Sequence, residues 1–281
     1  MGLPMAANLL RAGTSLCVHN RSPARCEALA TAGAEVAGSA ASLFARCDAV
    51  ILMLPDDDAT DAVLGRGGAE FASRLAGRLI INMGTHSPGY SRALGRDISD
   101  AGGRFVEAPV SGSRGPAEAG ELVAMVAGAP DAVADARPLI APMCRELIEV
   151  GDVPRAMAMK LAVNLYLVAS VTALAEATQL ATASGLDLDQ FARVITNGPL
   201  GSSVAGTKLG KMVRRDFTPQ AAIGDVVKNA RLVASAADGL GTEAPLLRES
   251  LARFEAVRSM GGGALDMAAI LISYEAEPVT S

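Results

Sequence analysis

The stretch DAVILMLPDDDATDAVL, residues 48–64, decides the fold. An unbroken apolar run ends at Leu54-Pro55, and three aspartates then lead into helical spacing. A short apolar run closed by turn and helix-start signals is a strand buried on both faces, as in a parallel sheet covered by helices. Outward from it the same alternation continues. The candidate strands are SLCVH at 15–19, DAVILML at 48–54, RLIINM at 78–83, GRFVEA at 103–108, ELVAMVA at 121–127 and RELIEV at 145–150. Helix starts are expected at Ser22-Pro23, Ser39, the Asp56 to Asp58 run and Ser87-Pro88. Residues 1–153 therefore read as a doubly wound α/β domain of Rossmann type.

After Gly151 the strand signals stop. Helical periodicity predicts segments near 154–184, 187–197, 203–214, 220–238, 244–259 and 264–275, so residues 154–281 read as an all-helical domain joined by a long interdomain helix. Asn197-Gly198-Pro199-Leu200-Gly201 and Gly261-Gly262-Gly263 break these helices, and the polar tail EAEPVTS is expected to be loosely ordered.

The 281 residues suffice for two cores, and 50% of them are hydrophobic. A net charge of −5 with no basic cluster beyond Arg214-Arg215 argues against nucleic acid as a partner. Four cysteines without CxxC spacing and only two histidines suggest neither a disulfide framework nor a metal site. A reduced cytoplasmic setting is expected. The apolar stretch 161–175 is interrupted by Asn164, Ser170 and Thr172, and it reads as a buried helix and not a membrane span. MGLPMAANLLRAG lacks a charged start and a cleavage site, so no export is expected.

The most informative side chain is Lys160, a cation inside the otherwise apolar run MAMKLAVNLYLVASV, with Asn164 one turn further on. On a helix the two share a face, which sets a proton donor beside an orienting amide. An ordinary alternative is a snorkelling lysine on an interdomain helix. Met1-Gly2 alone carries no signal. Asn20-Arg21-Ser22, however, begins 18 residues after Gly2 at a strand end, where dinucleotide enzymes place an acid for NAD or an arginine for the 2′-phosphate of NADP. Arg21 points to NADP, unless it is merely an exposed strand-end arginine.

Leu54-Pro55 and Asn82-Met83-Gly84-Thr85-His86 also follow strands, where open α/β sheets bind ligands. The three aspartates are better read as a helix N-terminus favouring negative charge, and His86 as a loop histidine with no orienting partner in view. Ser111-Gly112-Ser113 offers hydroxyls and unhindered backbone N–H groups suited to a small carboxylate, or else is only a tight loop. Lys228, in DVVKNARL, alone reads as part of a solvated face.

In this order the segments MGLPMAANLLRAG, HNRSP, MLPDD, INMGTHSP, EAPVSGSRGPAEAGELVAMVAG, MKLAVN and VVKNARL resemble the β-hydroxyacid dehydrogenase family, which includes 3-hydroxyisobutyrate, tartronate semialdehyde and glyoxylate/succinic semialdehyde enzymes. The resemblance implies that the N-terminal domain binds the nicotinamide cofactor, NADP in preference to NAD, and that the active site lies in a cleft. Lys160 would then be the general acid/base and Asn164 would orient the substrate hydroxyl. Ser111, Gly112 and Ser113 would hold the substrate carboxylate. Gly2, Leu3, Pro4, Met5, Asn20, Arg21, Ser22, Leu54, Pro55 and Thr85 would line the cofactor, and Lys228 would close over cofactor or substrate. No metal is required, and a homodimer or homotetramer through the helical domain is expected.

The chain departs from the family pattern in several places. The first strand and two glycines of the fingerprint do not precede Gly2, and a start assigned too far downstream is the expected explanation. Without that strand its sheet neighbours would lack a ladder partner. Glu107 replaces an aspartate, Ser113 a glycine, Val163 an asparagine and Asn229 an aspartate, which blurs substrate identity, and Gly84, where a serine is usual before Thr85, is a further small loss. Two other functions fit the same segments: an imine reductase on this scaffold, against which Lys160 counts, and a non-catalytic dimeric paralogue, against which Lys160, Asn164 and Ser111 together count.

Overall fold

A computed structural model describes residues 1–275, so from Ala276 on the expectation for the polar tail lies outside the described residues. The chain forms two compact units, Met1–Lys160 and residues 161–281.

The first unit carries the strands. In chain order its elements are α1 (Gly2–Arg11), β1 (Cys17–Val18), α2 (Glu27–Thr31), β2 (Glu35–Val36), α3 (Ala40–Phe44), β3 (Ala49–Leu52), α4 (Asp57–Leu64), α5 (Phe71–Leu75) and β4 (Leu79–Asn82). They continue with α6 (Pro88–Asp100), β5 (Arg104–Glu107), β6 (Val110–Ser111), α7 (Arg114–Ala119), β7 (Leu122–Gly128), α8 (Pro130–Ile140) and β8 (Cys144–Gly151). Strands β3, β4 and β5 are parallel and in register, Val50 beside Ile80 and Ile80 beside Phe105.

Alternate side chains of these strands leave the sheet on opposite faces. Leu79, Ile81 and Val106 pack with Met5, Leu9, Ala117 and Ile140 of α1, α7 and α8. Val50, Leu52, Ile80 and Phe105 pack with Phe44, Leu64, Leu75, Leu94 and Ile98 of α3 to α6. Both faces are apolar because both are covered, which is why the strands read as continuous hydrophobic runs.

One expectation for the sheet is corrected. It is mixed: β7 runs antiparallel to β5 and β6, and parallel to β8. A parallel return needs a crossover that spans the sheet face, whereas β6 and β7 are linked only through the six-residue α7. The sheet is in two pieces, as expected where a central strand is missing: β1 pairs only with β2 and the remaining six strands form a separate sheet. The break between β1 and β3 falls where the sequence lacks a strand signal. Strands β2 and β6, two residues each, are too short for a periodic signature.

The long helix α9 (Arg155–Ala183) runs from the end of the first unit into the second. The second unit continues with α10 (Leu188–Asn197), α11 (Ser203–Arg214), α12 (Ile223–Leu240), α13 (Pro245–Ser259) and α14 (Ile272–Glu275). Its core gathers Leu161, Val168, Val171 and Ala175 of α9 with Val227 and Ala230 of α12, Phe254 of α13 and Ile270. The segment expected as one helix over 264–275 is instead two 3₁₀ turns, Gly262–Ala264 and Met267–Leu271, followed by α14. Asp266 is the cause. Its carboxylate accepts from Ala268 N (3.0 Å), capping the second turn, and also from Gln220 N (2.8 Å) and Ala221 N (3.1 Å). Those two amides are thereby withdrawn from helix, and α12 starts at Ile223 where 220 is expected.

Candidate active site

Helix α9 is anchored by a residue of the sheet. Glu107, the last residue of β5 and fully buried, accepts hydrogen bonds from Ala156 N (3.1 Å), Met157 N (3.4 Å) and the Ser91 hydroxyl. It satisfies orphan donors in the first helical turn, where a carboxylate also meets the positive end of the helix dipole. Burial raises its pKa, and the three donors oppose the shift. Glu107 therefore holds the Lys160 helix, a role that its reading as a departure from the family pattern did not include. Its partners lie 49 and 50 positions away, too far for any local pattern to reveal them.

One turn into α9, Lys160 is 9% exposed and has no hydrogen bond or carboxylate partner among the described residues. Desolvation lowers its pKa to about 8. Asn164 is also buried, and its side-chain Nδ2 has no partner among the described residues. Each such group costs stability unless something satisfies it, and groups of this kind concentrate where a ligand does so.

The strand ends supply further groups. Leu54 and Thr85 are half-buried and Pro55 is exposed, just beyond β3 and β4. Ser111 ends β6, half-buried. Gly112 has φ +131°, and a Cβ there would lie 2.6 Å from Leu122 Cδ2, so only glycine fits. Ser113 stands at the N-cap of α7 without a side-chain capping bond. After β1, Asn20 Oδ1 accepts from Ser22 N (2.9 Å) in a tight turn that leaves Arg21 exposed, with no ion-pair partner among the described residues. Gly2 and Leu3 are exposed at the start of α1 and Pro4 is half-buried, whereas the Met5 side chain is turned into the core.

His86 is not the unpartnered loop histidine the sequence suggested. It is fully buried, and its Nδ1 donates to Asp57 Oδ1 at 2.5 Å. Asp56 does cap α4, accepting from Ala59 N (2.8 Å), so the acidic run serves both as helix start and as histidine partner.

In the second unit Lys228 lies half-buried on α12. It lines a groove with Gly224, Arg231, Leu232 and Arg258, and Arg231 is bound to Glu255 at 2.6 Å. Lys228 thus sits in a cationic setting that a solvated-face reading does not describe.

Two family models match the chain: the NAD binding domain of 6-phosphogluconate dehydrogenase over residues 1–151, and the NAD-binding domain of NADP-dependent 3-hydroxyisobutyrate dehydrogenase over residues 155–274. A glyoxylate/succinic semialdehyde reductase of Arabidopsis thaliana is 30% identical over 96% of this chain and 94% of its own. The chain belongs to the β-hydroxyacid dehydrogenase family. Solved relatives include a 3-hydroxyisobutyrate dehydrogenase of Salmonella typhimurium, 27% identical with a TM-score of 0.88 over 96% of this chain and 95% of that one. Another is the Mycobacterium tuberculosis 3-hydroxyisobutyrate dehydrogenase with L-serine, also 27% identical, with a TM-score of 0.86 over 98% and 96%.

This β-hydroxyacid dehydrogenase is an NAD(P)-dependent oxidoreductase of small hydroxy acids. Its first unit fits the dinucleotide. The carboxyl ends of β3 and β4 present Leu54, Pro55 and Thr85, and the exposed first turn of α1 presents helix amides of the kind that receive phosphates.

Proposed function

We propose that this dehydrogenase interconverts a small 3-hydroxy acid and its semialdehyde or keto acid, using NADP(H), with Lys160 as general acid/base. The observation that carries the proposal is the unpartnered Lys160, with a pKa of about 8, one helical turn from the unpartnered amide of Asn164.

In oxidation the neutral Lys160 Nζ takes the hydroxyl proton while the carbinol C–H bond breaks. In reduction the ammonium returns that proton to the carbonyl oxygen. A bound nicotinamide cofactor would supply the hydride acceptor or donor for this step. Asn164 Nδ2 donates to the reacting oxygen and fixes its lone pairs toward Lys160. Ser111, the unhindered backbone at Gly112 and the Ser113 hydroxyl hold the carboxylate. Gly2, Leu3, Pro4 and the backbone at Met5 border the phosphates, with Asn20 and Ser22 shaping the turn that carries Arg21. Arg21, exposed and without an ion-pair partner among the described residues, suits the 2′-phosphate and supports NADP over NAD. We place the enzyme in the cytoplasm, as a homodimer or homotetramer.

The test is turnover of glyoxylate, succinic semialdehyde and related semialdehydes by wild type and Lys160→Met, beside fluorescence titration of NADPH and NADH. Turnover of the variant should fall by ~10²–10⁴-fold, the usual cost of losing a general acid/base, with NADPH affinity unchanged and tighter than NADH affinity. Wild-type turnover by the variant would exclude Lys160 as the acid/base.

A further inference from the structure

The cofactor loops contain a polar cluster that packing does not require. His86 is completely buried, a place an apolar side chain would fill at lower cost, because its Nε2 has no partner among the described residues. Its ring stacks on Tyr90 with centroids 5.0 Å apart. The Tyr90 hydroxyl donates to Asp61 at 2.6 Å, and Arg66 lies over the Tyr90 ring, 5.2 Å from its centroid, while binding Asp61 (3.3 Å) and Asp97 (2.5 Å). The imidazole is therefore fixed in orientation from one side by the tyrosine and from its edge by Asp57.

The two ends of the ring meet two different loops. Nδ1 donates to Asp57 at 2.5 Å, in the first turn of α4 and two residues beyond Pro55. The Nε2 edge rests in the space over Gly84, immediately before Thr85. A Cβ at residue 84 would meet that nitrogen at 2.8 Å, the Leu54 carbonyl oxygen at 3.0 Å and Asn82 Oδ1 at 3.2 Å. The absence of a side chain at 84 lets the β4 turn close onto Leu54, with the imidazole filling the gap.

We propose that the Asp57–His86 hydrogen bond is a clasp between the two strand-end loops, which makes both side chains positioning residues that set Leu54-Pro55 against Thr85 for the cofactor. The clasp rests on the proposed assignment of those three residues to the nicotinamide cofactor. Neither Asp57 nor His86 touches the reacting atoms. Their effect passes through the loop backbones, and a misplacement of such walls lowers hydride transfer by spoiling approach geometry.

The experiment compares His86→Leu, which keeps the bulk and removes the donor, with His86→Asn, whose amide can still donate to Asp57. Asp57→Ala, at a partly exposed position, removes the acceptor without touching the core. NADPH affinity by nicotinamide fluorescence, the primary deuterium isotope effect on kcat with 4-deuterated NADPH, and melting temperature are measured for each.

His86→Leu and Asp57→Ala should each weaken NADPH on the order of tenfold, the scale of one charge-assisted hydrogen bond, and raise the isotope effect, with His86→Asn recovering most of both. Wild-type affinity and isotope effect in Asp57→Ala and His86→Leu would overturn the clasp, whatever the melting temperature does. A wild-type protein that binds no NADPH would overturn the cofactor assignment itself, and the clasp with it. Turnover with cofactor bound but indifferent to these variants would sink the clasp alone.

Discussion

Lys160 combines a structural cost with a chemical use, and its energetics follow from the direction of its shift. Its folded pKa is lowered from 10.5 to about 8 by burial alone. Below pH 8 the lysine is charged in both folded and unfolded chains, so the folded state bears the whole desolvation penalty, roughly 3 kcal/mol. Between about 8 and 10.5 the unfolded chain binds more protons than the folded one, and stability rises with pH by that amount. Lys160→Met should accordingly raise the thermal midpoint at pH 7, by roughly 1–3 kcal/mol of stability, while turnover collapses. In the wild type, the rate of carbonyl reduction should fall as pH rises through about 8, and that of alcohol oxidation should climb over the same range. Stopped-flow rates across pH 6 to 10 check the sign, and rates that respond identically in the two directions would contradict it. Lys160 and Asn164 were legible in the sequence because their spacing and apolar surroundings are local. The partnership of Asp57 with His86 was not, because 29 positions separate them and only the parallel packing of β3 and β4 brings their loops together.

At the level of elements, what the sequence showed was periodicity, and what it hid was carboxylates acting at a distance. The strands with continuous apolar runs, β3 and β4, and the helices α10, α11 and α13 fall within a few residues of their expected places. Boundaries moved where Asp266 intervenes. Its fully buried carboxylate takes both oxygens to Lys208 Nζ, at 2.9 and 3.0 Å, besides the three backbone amides it caps. Burial pushes the Asp266 pKa up, but Lys208 and the amides outweigh it, so the folded carboxyl sits below its ordinary value. A depressed carboxyl contributes stability that is present above the unfolded pKa, about 4, and is lost as pH falls through the folded one. Asp266→Ala leaves an uncompensated buried ammonium and should destabilise the helical unit by about 3–5 kcal/mol. Urea denaturation at pH 7 measures it. The gap between wild type and variant should narrow below pH 4, and a gap that stayed constant with acid would mean that Asp266 is not ionised in the fold.

For the molecule as a whole, the arrangement of exposed apolar surface on α9 bears on assembly. A helix apolar on every side belongs in an interior, and α9 has that composition. Yet Tyr166 is 76% exposed and Leu180 69% exposed, with Ala162 and Ala173 exposed between and before them at helical spacing. The opposite side of the helix is spent on the core through Leu161, Val168, Val171 and Ala175. A stripe whose large side chains are uncharged apart from Glu176, on a helix already anchored in its own core, fits a second copy of the same chain. In a two-fold arrangement the same stripe serves both partners, so small residues between Tyr166 and Leu180 let two such helices approach closely. The protein should therefore sediment as a dimer or a higher even oligomer. Tyr166→Glu combined with Leu180→Glu would place like charges on both sides of a symmetric contact and should yield monomers at micromolar concentration. Helical content should be unchanged, because neither side chain is part of the core. Sedimentation velocity on wild type and the double variant decides the matter: a wild-type monomer, or a double variant that assembles as before, would remove α9 from the interface.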